Sequence, residues 1–246
     1  MENDYYKRME PFWGVWNITK LLGEGSFGKV FEIEREDFGK KYTSALKVIT
    51  IPQNESEVKS LIAEGMDDQS VTSYYKSFVT EVVNEFALMS EFKGNSNIVS
   101  YEDHMVIEHK DSFGWDILIR MELLTPLIDY TNNHRMEEKD IIKLGIDLCK
   151  ALEVCQKKNL IHRDIKPENI FVSKNGDYKL GDFGVARTAE KTSSGLSKKG
   201  TYTYMAPEVY LNKPYGSTVD IYSVGLVLYK MLNNGRVPFL PPADQP

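Results

Sequence analysis

The stretch LGEGSFGKV, Leu22–Val30, fits two phosphate-binding patterns that need different folds. From Gly23 it reads G-x-x-x-x-G-K, the opening of a P-loop. It also reads G-x-G-x-x-G, a spacing shared by dinucleotide-binding turns and other glycine-rich loops. The P-loop reading stops at Val30, because that position must carry a hydroxyl to ligate Mg2+. Both helical readings also need a helix to start at the last glycine, with its N-terminus facing the phosphates. The chain instead continues as KVFEIERE, where Val30, Phe31 and Ile33 stand in near-alternation with Glu32, Glu34 and Arg35. That is a strand pattern, and VWNITKLL before it alternates as well. The glycines are therefore expected at a strand–turn–strand, where Gly23, Gly25 and Gly28 let backbone N–H groups come close to oxygens. An ordinary glycine-rich hairpin carries the same letters, and only the rest of the chain separates the two.

The bulk numbers narrow the classes. A chain of 246 residues can hold one large domain or two lobes, and 41% hydrophobic with 27% charged residues is ordinary for a globular protein. A net charge of −6 and the lack of a basic stripe give no hint of nucleic-acid binding. No apolar run approaches a membrane span, and the start MENDYYKRME does not resemble a signal peptide. Cys149 and Cys155 fall in one expected helix and read as buried free thiols of a reducing compartment, so a cytoplasmic location is expected. The four histidines are scattered and suggest no metal cluster.

Along the chain, residues 16–22, 29–35 and 43–49 read as strands, and the polar run 52–70 as part helix and part loop. A helix is expected over 74–92, with Phe78, Val82, Phe86 and Met89 at helical spacing, then strands over 101–108 and 115–121. Beyond MELLTPL the pattern turns helical. Residues 138–158 carry Ile141, Ile142, Leu148, Leu152 and Cys155 on one side, and 217–232 are apolar almost all round, as in a buried helix. A strand-rich half followed by a helix-rich half implies an α+β chain of two layers meeting at a hinge.

The chemistry is densest in the middle. IHRDIKPENIFV puts Asp164, Lys166 and Asn169 in one short loop, KLGDFGVAR sets Asp182 between glycines, and GTYTYMAPE comes next. Singly, Asp164 reads as a helix cap, Asn169 as a turn former and Asp182 as a surface turn residue. Together, in this order and spacing, the chain resembles a eukaryotic-type (Hanks-type) serine/threonine protein kinase domain over about residues 16–239.

That resemblance implies a two-lobed fold: an antiparallel-sheet N-lobe with one main helix over residues 1–121, and a mostly helical C-lobe over 122–246, hinged at about 122–125. It implies ATP and Mg2+ as cofactors and a protein Ser/Thr hydroxyl as substrate, with the oligomeric state left open. Leu22, Gly23, Gly25, Ser26 and Gly28 would cover the nucleotide, and Val30, Ala45 and Phe171 would give the adenine apolar contacts. Met121 would guard the adenine pocket, and Glu122 and Leu124 would offer backbone groups to the base. Lys47 would pair with the α- and β-phosphates. Its glutamate partner is one of Glu81, Glu85 and Glu91, and the spacing back from NSNIV selects Glu85. Asp164 would orient the hydroxyl and take its proton, while Lys166 would meet the γ-phosphate, the mark of Ser/Thr specificity. Asn169 and Asp182 would hold the metal, and Thr201 would support the catalytic loop, with Tyr202 replacing the usual proline.

Arg163 before Asp164 implies regulation by a phosphate on the activation segment, expected within residues 192–197. Family members continue with further helices after a segment like GRVPFLPPADQP. An incomplete C-lobe, a Glu208 without its arginine and apolar surface beneath residues 217–232 are therefore expected. The rivals are a nucleotide-binding scaffold without phosphotransfer and a small-molecule kinase. The intact set Lys47, Asp164, Asn169 and Asp182 opposes the first, and GTYTYMAPE the second.

Overall fold

Alternation along three strands organises the first half of the chain. The computed structural model describes residues 2–25, 28–110, 112–183, 201–211, 213–236 and 238, with backbone alone for 2–4, 88, 201 and 202. An antiparallel sheet of order β1-β2-β3-β5-β4 is formed by β1 (Asn17–Gly25), β2 (Gly28–Asp37), β3 (Lys40–Ile51), β4 (Tyr101–Glu108) and β5 (Trp115–Met121). The registers place Val30 opposite Lys47, Lys47 opposite Ile119, and Ala45 opposite Met121. Because side chains alternate with a period of two, these residues share one face, while Phe31, Leu46, Val48, Leu118 and Arg120 share the other.

An N-terminal helix α1 (Glu2–Lys7) precedes the sheet, and α2 (Glu55–Ala63) and α3 (Asp68–Ser90) come after β3. Asn54 caps α2, its Oδ1 accepting the Glu57 N–H at 3.1 Å. Helix α3 starts six residues earlier than the apolar spacing predicts. Asp67 explains this, since its Oδ1 accepts the Ser70 N–H at 2.7 Å and satisfies a donor of the first turn. Its buried face is Val71, Tyr75, Phe78, Val79, Val82, Phe86 and Met89, a stripe at helical spacing that packs on β3 and β4.

Contacts divide the chain into two compact units, one of residues 2–93 and 100–123, the other of 94–99, 124–183 and the described residues beyond 200. The second unit is mainly helical: α4 (Leu127–Asn133), α5 (Glu138–Lys157), the short helix Pro207–Tyr210 and the helix Thr218–Leu232. Its small sheet joins β6 (Thr125–Pro126), β7 (Ile170–Val172) and β8 (Tyr178–Leu180) in that order. The fold is thus α+β, as expected. Helix α5 opens with a reciprocal Glu137/Asp140 capping box and packs on β8 and on Thr218–Leu232.

Three burial expectations need correction. Ile142 is 56% exposed, because it lies about 100° round the helix from buried Ile141 and so leaves the core arc. Cys149 is exposed for the same reason, six positions from buried Cys155 on a different face. The Thr218–Leu232 helix buries Val219, Val224 and Val227 but exposes Ile221, Tyr222, Tyr229 and Leu232, so apolar composition overstated its burial.

Asp147 ties α5 to β8. Its Oδ2 accepts Lys143 Nζ at 2.6 Å and the Tyr178 N–H at 3.2 Å, while Lys143 also reaches Asp177 at 3.2 Å. Burial pushes the carboxyl up, but the Lys143 bond, the Tyr178 N–H and the lysine charges outweigh it and hold Asp147 below its ordinary value. A carboxylate lowered on folding adds stability above its unfolded pKa and loses it as pH falls through the folded value. Asp147→Asn is expected to lose about 1–3 kcal/mol at neutral pH, discounted from a fully buried pair because Lys143 is half-exposed. The difference from wild type should shrink as pH falls below the ordinary carboxylate value of about 4, and vanish only below the folded value, where the carboxylate is protonated in both states. Urea denaturation at pH 7 and pH 3 checks this, and an equal loss at both would contradict it.

Candidate active site

The loop after α5 is held by a carboxylate from another helix. Asp220, buried in Thr218–Leu232, accepts the His162 N–H at 2.8 Å through Oδ2 and the Arg163 N–H at 2.7 Å through Oδ1. Hydrogen bonds to an ionised acceptor are among the stronger ones, and two of them on adjacent residues fix the backbone just before Asp164. Arg163 takes a left-handed φ of 68°, which costs a non-glycine residue about 1–3 kcal/mol and persists only where the surroundings impose it. Its guanidinium lies over the Tyr215 ring, 5.3 Å from the centroid.

His162 links this loop to the next strand. Its Nε2 lies 2.9 Å from the Gly181 carbonyl, and Nδ1 lies 3.3 Å from the Asp164 N–H. One ring nitrogen donates and the other accepts only in a neutral imidazole. Burial favours that state and lowers the pKa, although Asp220, the Gly181 carbonyl, Asp164 and Asp182 pull the other way. The ring also meets Phe183 edge-on at 4.6 Å.

Asp164, Lys166 and Asn169 form one cluster. Lys166 Nζ lies 2.8 Å from Asp164 Oδ2. Asn169, in the 3-10 turn Pro167–Asn169, donates Nδ2 to the Asp164 carbonyl at 2.8 Å and to Oδ2 at 2.9 Å. Its own carbonyl accepts the Gly181 N–H at 2.9 Å, so the residue before Asp182 is bonded to both sides of the loop. Asp182 comes next, with a left-handed φ of 57°. Gly181 has no room for a side chain: a Cβ there would lie 2.7 Å from Val99 Cγ2 and 2.9 Å from Phe171 Cε2. Val99 is itself bonded into this region, donating its N–H to the Leu180 carbonyl at 2.9 Å.

In the first unit, the face shared by Val30, Ala45, Lys47 and Met121 carries the other expected residues, and Lys47 is buried in it. The glycine-rich hairpin pairs Gly23 with Val30 and Gly25 with Gly28, so the hairpin reading holds. Gly28 has φ 118°, and a Cβ there would sit 1.9 Å from the Val48 carbonyl oxygen, which only glycine tolerates. Leu22 is exposed near the hairpin's end. Of the three candidate glutamates, Glu81 and Glu91 are exposed and Glu85 is partly buried. Glu122 closes β5 onto the preceding segment, its N–H donating to the Ser100 carbonyl at 3.1 Å and its carboxylate accepting the Ser100 N–H at 2.6 Å. Leu124 and Phe171 belong to the second unit, Phe171 opposite Pro126 and Lys179 in the small sheet.

Thr201 starts a 3-10 turn, Thr201–Tyr204, but its side chain lies outside the described residues. That turn is tied to Thr218–Leu232 by Ser223 Oγ donating to the Tyr204 carbonyl at 2.7 Å and by Lys230 Nζ at 2.8 Å from its hydroxyl. Ser26, Thr188, Thr192, Ser193, Ser194, Ser197, Lys198 and Lys199 also lie outside the described residues. Sequence reasoning missed Asp220, His162 and Gly181 as positioning groups. Asp220 had left a signal, a lone acid in the apolar run TVDIYSVGLVLY.

A family model described as a protein kinase domain matches residues 16–245. The chain is 32% identical over 154 residues to the serine/threonine-protein kinase shk2 of Schizosaccharomyces pombe, covering 62% of this chain and 26% of that protein. It is 30% identical over 231 residues to the Arabidopsis thaliana serine/threonine-protein kinase TIO, covering 91% of this chain and 15% of that one. To the Arabidopsis serine/threonine-protein kinase AtPK2/AtPK19 it is 26% identical over 245 residues, covering 97% and 46%. The chain thus spans less than half the length of these relatives.

The crowding at Gly181 yields a direct test. Gly181→Ala is expected to destabilise the second unit by about 1–3 kcal/mol, since Val99 and Phe171 must both give way. An unchanged denaturation midpoint would show that these side chains relax freely.

Proposed function

Because the chain belongs to the protein kinase family, we propose that it transfers the γ-phosphoryl group of ATP to a Ser or Thr hydroxyl of a protein substrate. The observation that carries this is the Asp164 carboxylate, met by both Lys166 and Asn169 on a loop whose backbone Asp220 fixes. In that role Asp164 orients the incoming hydroxyl and takes its proton as the oxygen bonds to the γ-phosphorus and the bond to the ADP oxygen breaks. Lys166 places a cation beside the same carboxylate, where it offsets charge on the phosphoryl oxygens. A Ser/Thr preference is supported by Lys166 and by the serine/threonine kinases among the relatives.

Within the second unit, Asp182 and Asn169 would hold Mg2+. They are oxygen donors, the kind a hard cation takes, and Asn169 commits its amide nitrogen to Asp164 and keeps Oδ1 as the acceptor end. Mg2+ there would neutralise charge on the phosphates. Within the first unit, Lys47 would bind phosphate oxygens with Glu85 as its partner, and Val30, Ala45 and Met121 would offer the base an apolar face. Gly23, Gly25, Ser26, Gly28 and Leu22 would cover the phosphates and sugar, Glu122 and Leu124 would supply backbone groups, Phe171 a further apolar contact and Thr201 support for the catalytic loop. A cytoplasmic location, with Cys149 and Cys155 as free thiols, is part of the same proposal.

Turnover of Mg-ATP against a panel of protein substrates tests it. Asp164→Asn should lower kcat by about 10²- to 10⁴-fold while the protein stays folded. Undiminished turnover in that variant would remove Asp164 from the mechanism. Nucleotide binding without transfer in the intact chain would favour a scaffold instead.

A further inference from the structure

Residues 2–15 lie outside the stretch that matches the family, yet they are built into the first unit. Tyr6, Phe12 and Trp16 are 8%, 2% and 6% exposed and pack with Phe31, Ile33, Leu46, Val48 and Leu118. These partners point away from Lys47, so the N-terminal segment covers the back of the strands that carry the proposed nucleotide face. The segment also closes on itself. Phe12 bridges to Trp16, and Glu10 Oε1 accepts the Ile18 N–H at 2.6 Å.

Two clamps seat it. Trp16 has the guanidinium of Arg35 at 5.3 Å and that of Arg120 at 5.0 Å from its ring, and Arg120, paired with Glu102, also lies 5.8 Å from the Trp13 ring. The second clamp is polar. Asp116 on β5 is fully buried; its Oδ2 accepts the Tyr5 hydroxyl at 3.1 Å and lies 3.0 Å from His109 Nε2, and its Oδ1 accepts Thr50 Oγ1 at 2.7 Å. Tyr6 joins through a hydroxyl 3.3 Å from Thr50 Oγ1. Partial burial, reinforced by the Asp116 carboxylate, pushes the Tyr5 phenol up to about 12, so it keeps its proton to donate. A buried carboxylate is tolerated only while its oxygens are bonded, and one of those bonds comes from the segment itself.

We propose that residues 2–16 are an activating strap: seated on the back of the sheet they hold β3 and β5 in place, and with them Lys47 and Met121, so that unseating the strap weakens nucleotide binding. This rests on the kinase reading of the opposite face. The lever is Tyr5, which is 43% exposed and therefore reachable, yet bonded to a buried acid that an added negative charge would repel. Apolar surface now covered by Tyr6 and Phe12 would be opened to water when the strap leaves.

The test uses the full chain and three variants, Tyr5→Phe, Tyr5→Glu and Phe12→Ala, with amide hydrogen exchange of β3 and calorimetric Mg-ADP affinity as readouts. Tyr5→Glu and Phe12→Ala should speed exchange over Lys40–Ile51 and weaken Mg-ADP binding, each by about tenfold, with α5 amides unchanged and Tyr5→Phe intermediate. Tyr5→Glu acts at a part-exposed residue outside the apolar cluster that Phe12 fills, and keeps the test decisive should Phe12→Ala fail to fold. Unchanged β3 exchange in Tyr5→Glu, or faster exchange with undiminished Mg-ADP affinity, would overturn the strap. An intact chain that binds no Mg-ADP would count against the kinase reading, while β3 exchange would still decide whether the strap holds the strand.

Discussion

Two backbone N–H groups that end on one buried carboxylate hold the candidate catalytic loop in shape. Without Asp220, the His162 donor would be buried and unpaired, the Arg163 N–H would lose its acceptor, and the left-handed turn at Arg163 would lose the bond that holds it. With it, Asp164 emerges at a fixed point, Asn169 folds back onto that point, and Gly181 is drawn in through His162 and Asn169. Asp182 inherits its position from that chain of bonds. The arrangement explains why an acid sits in the largely apolar run TVDIYSVGLVLY: its two oxygens are both used.

The first unit rests on a different constraint, the pleat. A strand with a period of two offers two faces, and β3 uses both, Ala45 and Lys47 on one and Leu46, Val48 and Thr50 on the other. A lysine buried on one side of a strand that was bare on the other would sit on a mobile support. Covering the back with Tyr6, Phe12 and Trp16 removes that weakness, and the two arginines stacked on Trp16 tie the cover to β2 and β5.

Much of this was legible in the sequence, and the reasons differ by element. The limits of β4 and β5 matched because the polar run HKDSFG separates two strand-like segments rich in aromatic and branched residues. The loop IHRDIKPEN was legible because its chemistry admits few residue types at fixed spacing. The start of α3 was missed because Asp67 caps the helix ahead of its apolar stripe. Ile142 and Cys149 were misplaced because composition does not fix the helical arc at single-residue precision. Spacing back from NSNIV pointed to Glu85, and its partial burial sets it apart from the exposed Glu81 and Glu91. The strap escaped because Tyr5, Tyr6, Phe12, Trp13 and Trp16 obey neither period; their grouping in a short segment was the only trace.

The measurement that bears most directly on the central claim is phosphotransfer by Asp220→Asn. The amide keeps the volume and one acceptor but turns a donor towards one of the two N–H groups it must hold. The account predicts a folded protein with near-native Mg-ADP affinity and a kcat reduced by about 10²-fold, the size of loss that a displaced catalytic group causes. A folded Asp220→Asn protein with undiminished kcat would contradict it, because the loop would then keep its shape without the carboxylate.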